Sequence, residues 1–128
     1  MHRPAHKPPA SDSIRLCYSA AGRARSFSSF EPVLIGRDPS CDLCIDDPRV
    51  QPLHAEVYRV FDLWWVRDLG SEDGTFLDEE CIDVAPLIGP AVLQLGLDGP
   101  AVWLEPRAKQ QPQDGNARLK TGRAERAA

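Results

Sequence analysis

Apolar residues between Ile14 and Glu105 occur in short runs rather than in one long periodic stretch. Successive runs lie roughly 8 to 12 residues apart and are separated by clusters of Gly, Pro, Asp and Ser, a spacing typical of β-sandwiches and barrels. Polar and apolar residues alternate most clearly from Ala55 to Val60, as in a strand with one buried face. No segment keeps the helical period of about 3.6 residues. The pattern therefore predicts an all-β fold.

Ten segments have the composition of strands: Ile14–Tyr18, Arg25–Phe30, Val33–Gly36, Leu43–Ile45, Ala55–Val60, Leu63–Asp68, Thr75–Leu77, Glu80–Val84, Ala91–Leu97 and Ala101–Glu105. The links Phe61-Asp62-Leu63 and Asp98-Gly99-Pro100 are typical of hairpin turns. A meander of paired neighbours is the simplest topology for these strands.

Length and local composition predict one folded unit with polar ends. A chain of 128 residues, 42% of them hydrophobic, can bury one modest core. Residues 1–13 are rich in Pro and polar side chains, and residues 107–128 are basic with almost no apolar side chain. Such segments bury too little surface to offset their chain entropy, so we expect disorder in 1–13, a domain at 14–106 and a disordered basic tail or linker at 107–128.

The distribution of charge narrows the set of partners. Residues 14–104 contain seven Arg, no Lys and fifteen acidic residues, whereas residues 105–128 contain six basic and three acidic residues. An acidic body does not suit a nucleic-acid partner, whose phosphates need clustered cations. No apolar run reaches the roughly 20 residues of a membrane helix, and the N-terminus lacks a secretory signal. We therefore expect a cytoplasmic protein, or the cytoplasmic end of a longer one, without membrane insertion.

The sequence contains few residue patterns typical of a catalytic or metal-binding site. His54 has no nucleophile or second base at a recognisable spacing, and there is no phosphate-binding glycine loop or nucleophile elbow. Cys41 and Cys44 are three residues apart, so on a strand their side chains face opposite sides, and a shared metal requires a turn. Reduced, mostly buried thiols are the alternative. We expect no enzyme activity, metal or cofactor.

Three short motifs follow one another in the body: Gly36-Arg37, then Gln51-Pro52-Leu53-His54, then Ser71-Glu72-Asp73-Gly74-Thr75. In this order, from about Phe30 to Glu105, the chain resembles a forkhead-associated (FHA) domain, whose pattern is Gly-Arg, Ser-x-x-His and Ser-x-Asn-Gly-Thr. The resemblance implies an eleven-stranded β-sandwich. It also implies that loops at one end of the sandwich bind a phosphothreonine peptide.

The resemblance assigns two groups of site residues. Five are expected to contact the phosphopeptide: Arg37, Gln51, Ser71, Glu72 and Asp73. Four are expected to support the binding loops: Gly36, His54, Gly74 and Thr75. For Arg37, the alternative to a phosphate contact is an ion pair with an acidic residue nearby in sequence, namely Asp38, Asp42, Asp46 or Asp47.

The sequence departs from the family pattern at positions that would touch the peptide. Gln51 replaces the phosphate-binding Ser, Pro52 supplies no N–H donor, and Asp73 replaces a peptide-binding Asn. A carboxylate at position 73 could repel phosphate or pair with Arg37. Two functions follow: a phosphopeptide reader that serves as a signalling or assembly adaptor, as in bacterial signalling, or a degenerate FHA scaffold that binds proteins without phosphate.

The basic tail suggests one further partner. Thr121 lies between Lys120 and Gly122 in a basic context that some kinases favour, and Thr75 is the only other Thr. A phosphorylated Thr121 could bind Arg37 of its own or another chain, which would give self-association through the tail. The alternative is a plain flexible linker.

Overall fold

The computed structural model describes residues 11–20 and 22–108, which form eleven strands and no helix. The strands are β1 (Ser11–Ala20), β2 (Arg23–Ser29), β3 (Val33–Gly36), β4 (Leu43–Cys44), β5 (Ala55–Val60), β6 (Leu63–Asp68), β7 (Thr75–Leu77), β8 (Glu80–Cys81), β9 (Val84–Pro86), β10 (Ala91–Leu95) and β11 (Ala101–Ala108). The outer strands extend past the domain boundaries expected at 14 and 106. Most of the expected disordered ends, Thr121 included, lies outside the described residues.

The strands form two sheets that pack as a sandwich. The six-stranded sheet has the order β2-β1-β11-β10-β7-β8, and the five-stranded sheet has the order β4-β3-β5-β6-β9. The expectation of an all-β, eleven-stranded sandwich is confirmed. The simple meander is wrong, because β1 pairs with β11 and because β4 pairs parallel to β3.

The single strand predicted at Glu80–Val84 is in fact two strands in different sheets. Glu80 and Cys81 pair with β7, whereas Val84 pairs with Arg67 of β6. The chain crosses from one sheet to the other at Ile82 and Asp83, where the Ile82 N–H bonds to the Thr75 carbonyl. A short apolar run does not reveal this crossing, since both strands have strand-like composition.

The core lies between the sheets and consists of the alternate side chains that face inward. Trp64 of β6 is its largest fully buried member, and its neighbour Trp65 is half-buried on the outer face. The other members are Ile14, Leu16, Val33, Ile35, Leu43, Ile45, Val50, Ala55, Val57, Val66, Leu87, Ala91, Leu93, Leu95, Val102 and Leu104.

Strand pairing gathers several loops at one end of the sandwich, which we call the loop end. At this end β3 leaves the sheet at Gly36, β5 begins at Ala55 and β6 stops at Asp68, and Ala55 pairs with both Ile35 and Asp68. The Gly96 N–H bonds to the Gly74 carbonyl at 2.9 Å, which joins the β10–β11 loop to the β6–β7 loop. The loops of all three sequence motifs therefore meet here.

Candidate functional site

Gly36 lets the end of β3 pack directly on the loop before β5. A Cβ atom at Gly36 would lie 2.1 Å from the Pro52 carbonyl oxygen, so any side chain would force the two backbones apart. The close approach allows the Arg37 N–H to bond to the Gln51 carbonyl at 2.9 Å. The first two sequence motifs thus lie side by side, with Arg37 at the surface.

The guanidinium of Arg37 is not engaged by the acidic residues that sequence proximity suggested. Within residues 11–20 and 22–108, the guanidinium makes no hydrogen bond or ion pair with Asp46 or with any other residue. Three of the four neighbouring carboxylates hold other groups: Asp38 accepts from the Ser40 N–H at 2.8 Å, Asp42 from the Leu34 N–H at 2.8 Å, and Asp47 from Arg49 at 2.7 Å. Arg37 is thus exposed and available to an external anion.

His54 is a buried brace between two loops. Its side chain is fully buried; Nδ1 accepts the Gln51 N–H at 3.0 Å, and Nε2 lies 2.9 Å from the Gly74 carbonyl oxygen. Because Nδ1 accepts, the ring proton must reside on Nε2, which donates to Gly74. His54 therefore links the loop before β5 to the β6–β7 loop.

Asp68 organises the β6–β7 loop, and the sequence analysis treated it only as the end of a strand. Its Oδ2 accepts the N–H groups of Gly70 at 2.9 Å and Ser71 at 3.0 Å, and its Oδ1 accepts the hydroxyl of Thr75 at 2.6 Å and that of Ser71. Burial opposes its ionisation, but the bonds from Ser71 and Thr75 prevail and lower the pKa of Asp68. An Asp that accepts the backbone N–H two residues further on, here that of Gly70, is a common turn former.

This network changes the role of Ser71. A hydroxyl has one proton, and Ser71 gives its proton to Asp68. In this arrangement the Ser71 side chain has only lone pairs to offer a ligand. Thr75 is fully buried and also donates to Asp68.

The exposed rim of the loop end carries the residues that depart from the family pattern. Glu72 and Asp73 are exposed, and within the described residues neither carboxylate has a hydrogen bond or ion pair. Asp73 therefore forms no ion pair with Arg37 and does not neutralise its charge. Gly74 has φ 90°, a value that favours glycine and turns the chain back into β7. Gln51 is half-buried.

Arg49 is a second residue that the sequence analysis missed. It bonds Asp47 through Nε at 2.9 Å and Nη2 at 2.7 Å, and its Nη1 donates to the Asp98 carbonyl. The side-chain bond from Arg49 lowers the pKa of Asp47 to about 2. Arg49 thus ties the β4–β5 loop to the β10–β11 loop, a contact between residues far apart in the chain.

The two cysteines of the Cys-x-x-Cys pair donate hydrogen bonds to backbone carbonyls of the loops after β3 and before β5. The Cys41 thiol donates to the Pro52 carbonyl at 3.2 Å, and the Cys44 thiol donates to the Arg37 carbonyl at 3.3 Å. In the part of the chain that the structure describes, no group of three or more His, Cys, Asp or Glu residues could hold a metal ion. Among the described residues, the structure has no helix that is long and apolar enough to cross a membrane.

Sequence comparison identifies relatives over the region that forms this site. The FHA domain family model matches residues 33–96. The FHA domain-containing protein FhaB of Mycobacterium tuberculosis is 39% identical over 62 residues, which are 48% of this chain and 40% of the relative. FhaB of Mycolicibacterium smegmatis is 38% identical over 55 residues, which are 43% of this chain and 36% of that protein. The match spans well under half the length of these relatives.

Solved structures show the same fold. The FHA domain of the CT664 protein from Chlamydia trachomatis superposes with a TM-score of 0.67 and 22% identity, covering 75% of this chain and 99% of that one. Mycobacterium tuberculosis EmbR, solved with a low-affinity phosphopeptide, gives a TM-score of 0.63 and 20% identity, covering 77% of this chain and 26% of that one. With the family model spanning residues 33–96, the chain belongs to the FHA domain family, whose members generally mediate phosphothreonine-dependent protein interactions.

Proposed function

We propose that the loop end binds a phosphothreonine peptide and that the domain serves as a signalling or assembly adaptor, not as a catalyst. The observation that carries this proposal is the state of Arg37: its guanidinium is exposed, and three of the four acidic residues near it in sequence hold other groups. A guanidinium can grip a phosphate through two parallel charge-assisted hydrogen bonds. Arg37 is therefore the principal phosphate contact.

The braces behind Arg37 support this role because they hold its backbone in place. The Arg37 N–H bonds to Gln51, and its carbonyl accepts the Cys44 thiol at 3.3 Å. A fixed backbone lowers the entropy that the side chain loses on binding. The side-chain amide of Gln51 supplies the donor that a Ser hydroxyl provides elsewhere in the family, although from a longer and more flexible arm.

The acidic wall formed by Glu72 and Asp73 of the β6–β7 loop weakens phosphate binding without abolishing it. Phosphothreonine carries about −1.5 to −2 charges, and each unit charge near a carboxylate 4–8 Å away costs roughly 2–4 kcal/mol at an effective dielectric near 20, before salt screening. Asp73 and Glu72 supply such carboxylates, and the Ser71 hydroxyl is held by Asp68. We therefore expect affinity below that of members with the usual Asn, and a preference for basic peptide residues beside this wall.

A phosphate-independent interaction domain is the second candidate. It is favoured by the loss of donors, since Pro52 has no N–H and Ser71 gives its proton to Asp68. In this function the sandwich and its braces remain as a scaffold, and binding does not distinguish phosphorylated from plain peptides.

The deciding experiment is a titration of the full chain against a degenerate phosphothreonine peptide library, with the unphosphorylated library as control. Selective binding that Arg37→Ala abolishes supports the proposed function. Arg107→Ala is the matched control, because Arg107 lies at the far end of β11 and only approaches Glu105 at 3.8 Å. Equal binding of both libraries favours the second candidate. Selective binding that survives Arg37→Ala contradicts the role of Arg37 and assigns the phosphate contact to another residue.

A further inference from the structure

The arginines of the domain fall into two groups according to their partners. Of the seven Arg in residues 14–104, four are engaged: Arg15 with Ser26 and Glu105, Arg49 with Asp47, Arg59 over the ring of Trp64, and Arg67 with Glu56. The remaining three are Arg23, Arg25 and Arg37, and within residues 11–20 and 22–108 none of their guanidinium groups has a hydrogen bond or an ion pair. Two of these three cations lie outside the site already described.

Arg23 and Arg25 line a groove of about 490 Å³ on the open side of the sandwich. One wall belongs to β2, the edge strand of the six-stranded sheet, and the other to β4, the edge strand of the five-stranded sheet. The lining residues are Tyr18, Ala20, Arg23, Ala24, Arg25, Cys44 and Asp46. The first four residues of β2, which include both arginines, are exposed.

The groove adjoins the loop end. Tyr18 pairs with Val102 next to the β10–β11 loop, so the tip of the β1–β2 hairpin lies beside that loop. On the other wall, Cys44 donates to the Arg37 carbonyl at 3.3 Å. Cys44 thus both borders the groove and holds the backbone of Arg37. An extended peptide advances about 3.3 Å per residue and can pass from Arg37 to the groove.

The local charges favour an anion in the groove. Asp46 is the only carboxylate among its lining residues, facing Arg23 and Arg25. Asp47 lies close enough to act on Tyr18, but it is held by Arg49 at 2.7 Å. The lining therefore carries a net positive charge in a domain whose body is otherwise strongly acidic. Two unpaired guanidiniums and a phenol hydroxyl together present only cationic or neutral donors to a bound anion.

We propose that this groove is a second anionic subsite, in which Arg23 and Arg25 bind a carboxylate or phosphate side chain of the same peptide whose phosphothreonine lies at Arg37. The subsite rests on the proposed function, because it needs a peptide anchored at Arg37. It gives the domain a preference for peptides that carry a second negative charge on the side facing β2, opposite to the acidic wall of Glu72 and Asp73.

The test uses the full chain with phosphothreonine peptide libraries whose flanking positions are neutral except for one fixed residue. In separate arms that residue is Asp or Glu, phosphoserine, Lys, or a neutral residue. We expect an acidic residue at one or more positions to tighten binding about tenfold over the neutral library, and the phosphoserine and carboxylate arms show which anion the groove prefers.

Charge variants assign that preference to the groove. Arg23→Ala with Arg25→Ala should bring the acidic arms down to the affinity of the neutral arm, and Arg23→Glu with Arg25→Glu should make the Lys arm the tighter one. Arg107→Ala, with the same loss of charge at the far end, should keep the acidic preference. A reversal toward Lys cannot arise from misfolding.

The outcomes separate the two proposals. If the unaltered chain binds the neutral library but shows no acidic preference, or if that preference survives both double substitutions, the subsite is wrong and the proposed function stands. If the unaltered chain binds no phosphothreonine library, the proposed function fails and the subsite fails with it.

Discussion

The buried brace and the exposed rim of the loop end differ in how closely they follow the family pattern. The brace consists of the buried residues Gly36, His54 and Thr75 and the half-buried Asp68, and its contacts are internal. The rim consists of Arg37, Gln51, Glu72 and Asp73, and in the described residues the charged groups of the rim have no partner. The substitutions at Gln51 and Asp73 lie in the rim.

The difference shows that folding and binding place separate demands on one set of loops. A buried polar group that loses its partner is costly, so substitutions in the brace would undermine the fold itself. An exposed rim residue can change at little cost to stability, and the change then alters what the loops bind. The brace can stay intact whichever of the two candidate functions is right.

The largest effect should follow from His54→Ala. The substitution leaves a cavity, removes the partner of the Gln51 N–H and takes away one of the two donors to the Gly74 carbonyl. We expect the free energy of unfolding to fall by about 3–5 kcal/mol. Chemical denaturation measures this loss, and Leu53→Ala, at a neighbouring position that is 49% exposed, is the control. A loss below about 1 kcal/mol would show that His54 is no brace.

Asp68→Asn should have the next largest effect. The amide keeps the shape of the side chain but replaces one acceptor oxygen by an NH₂ donor. Each oxygen of Asp68 accepts two hydrogen bonds, so two of the four bonds are lost. We expect a loss of about 2–3 kcal/mol, also measured by denaturation. Asp83→Asn is the control, because that exposed carboxylate makes no hydrogen bond within the described residues. Equal stability of both variants would contradict the network.

Asp73→Asn tests the rim and should act on binding instead of stability. Removing the carboxylate lowers the repulsion of phosphate and restores an amide donor, so we expect phosphothreonine-peptide affinity to rise about tenfold, or about 1.4 kcal/mol. Titration calorimetry measures the change. Glu31→Gln makes the same change of charge before β3, at the far end of the sandwich. An unchanged affinity in Asp73→Asn would remove repulsion as the cause of weak binding.

The smallest effect concerns the exposed tie between Asp47 and Arg49. The pKa of Asp47 is lowered from 3.8 to about 2 in the folded chain, so ionised Asp47 contributes stability above pH about 4 that is lost as the pH falls toward 2. Asp47→Asn should therefore be less stable than the unaltered chain at neutral pH, and the difference should shrink over that range. Urea titrations at several pH values measure it, and a constant difference would contradict the tie.

Strand positions were largely predictable from the sequence. Val33–Gly36, Ala55–Val60, Leu63–Asp68 and Thr75–Leu77 match the structure residue for residue. These segments owe their conformation to local alternation and to turn residues, which act over a few positions. The region from 80 to 86 was misread, because a change of sheet depends on partners that the local pattern does not contain.

The site was predictable only in part, for the same reason. Arg49 was missed because its partner Asp98 lies in another loop. Asp68 was missed although its partners Gly70, Ser71 and Thr75 follow it within seven residues, because no motif marks it. Three acidic residues near Arg37 in sequence are likewise held by hydrogen bonds from other residues, namely Leu34, Ser40 and Arg49. The ion pair that sequence proximity offered as the alternative for Arg37 is not formed within the described residues.

The sequence by itself therefore determined the all-β class, the order of the motifs and the family, because these depend on residue types and short spacings. Only the tertiary structure decided which charges remain available, since pairing in three dimensions engages Arg15, Arg49 and Arg67 and leaves Arg23, Arg25 and Arg37 without partners in the described residues. A carboxylate and a guanidinium pair within about 4 Å of each other, and distances of that kind are set by the packing of strands distant in the chain.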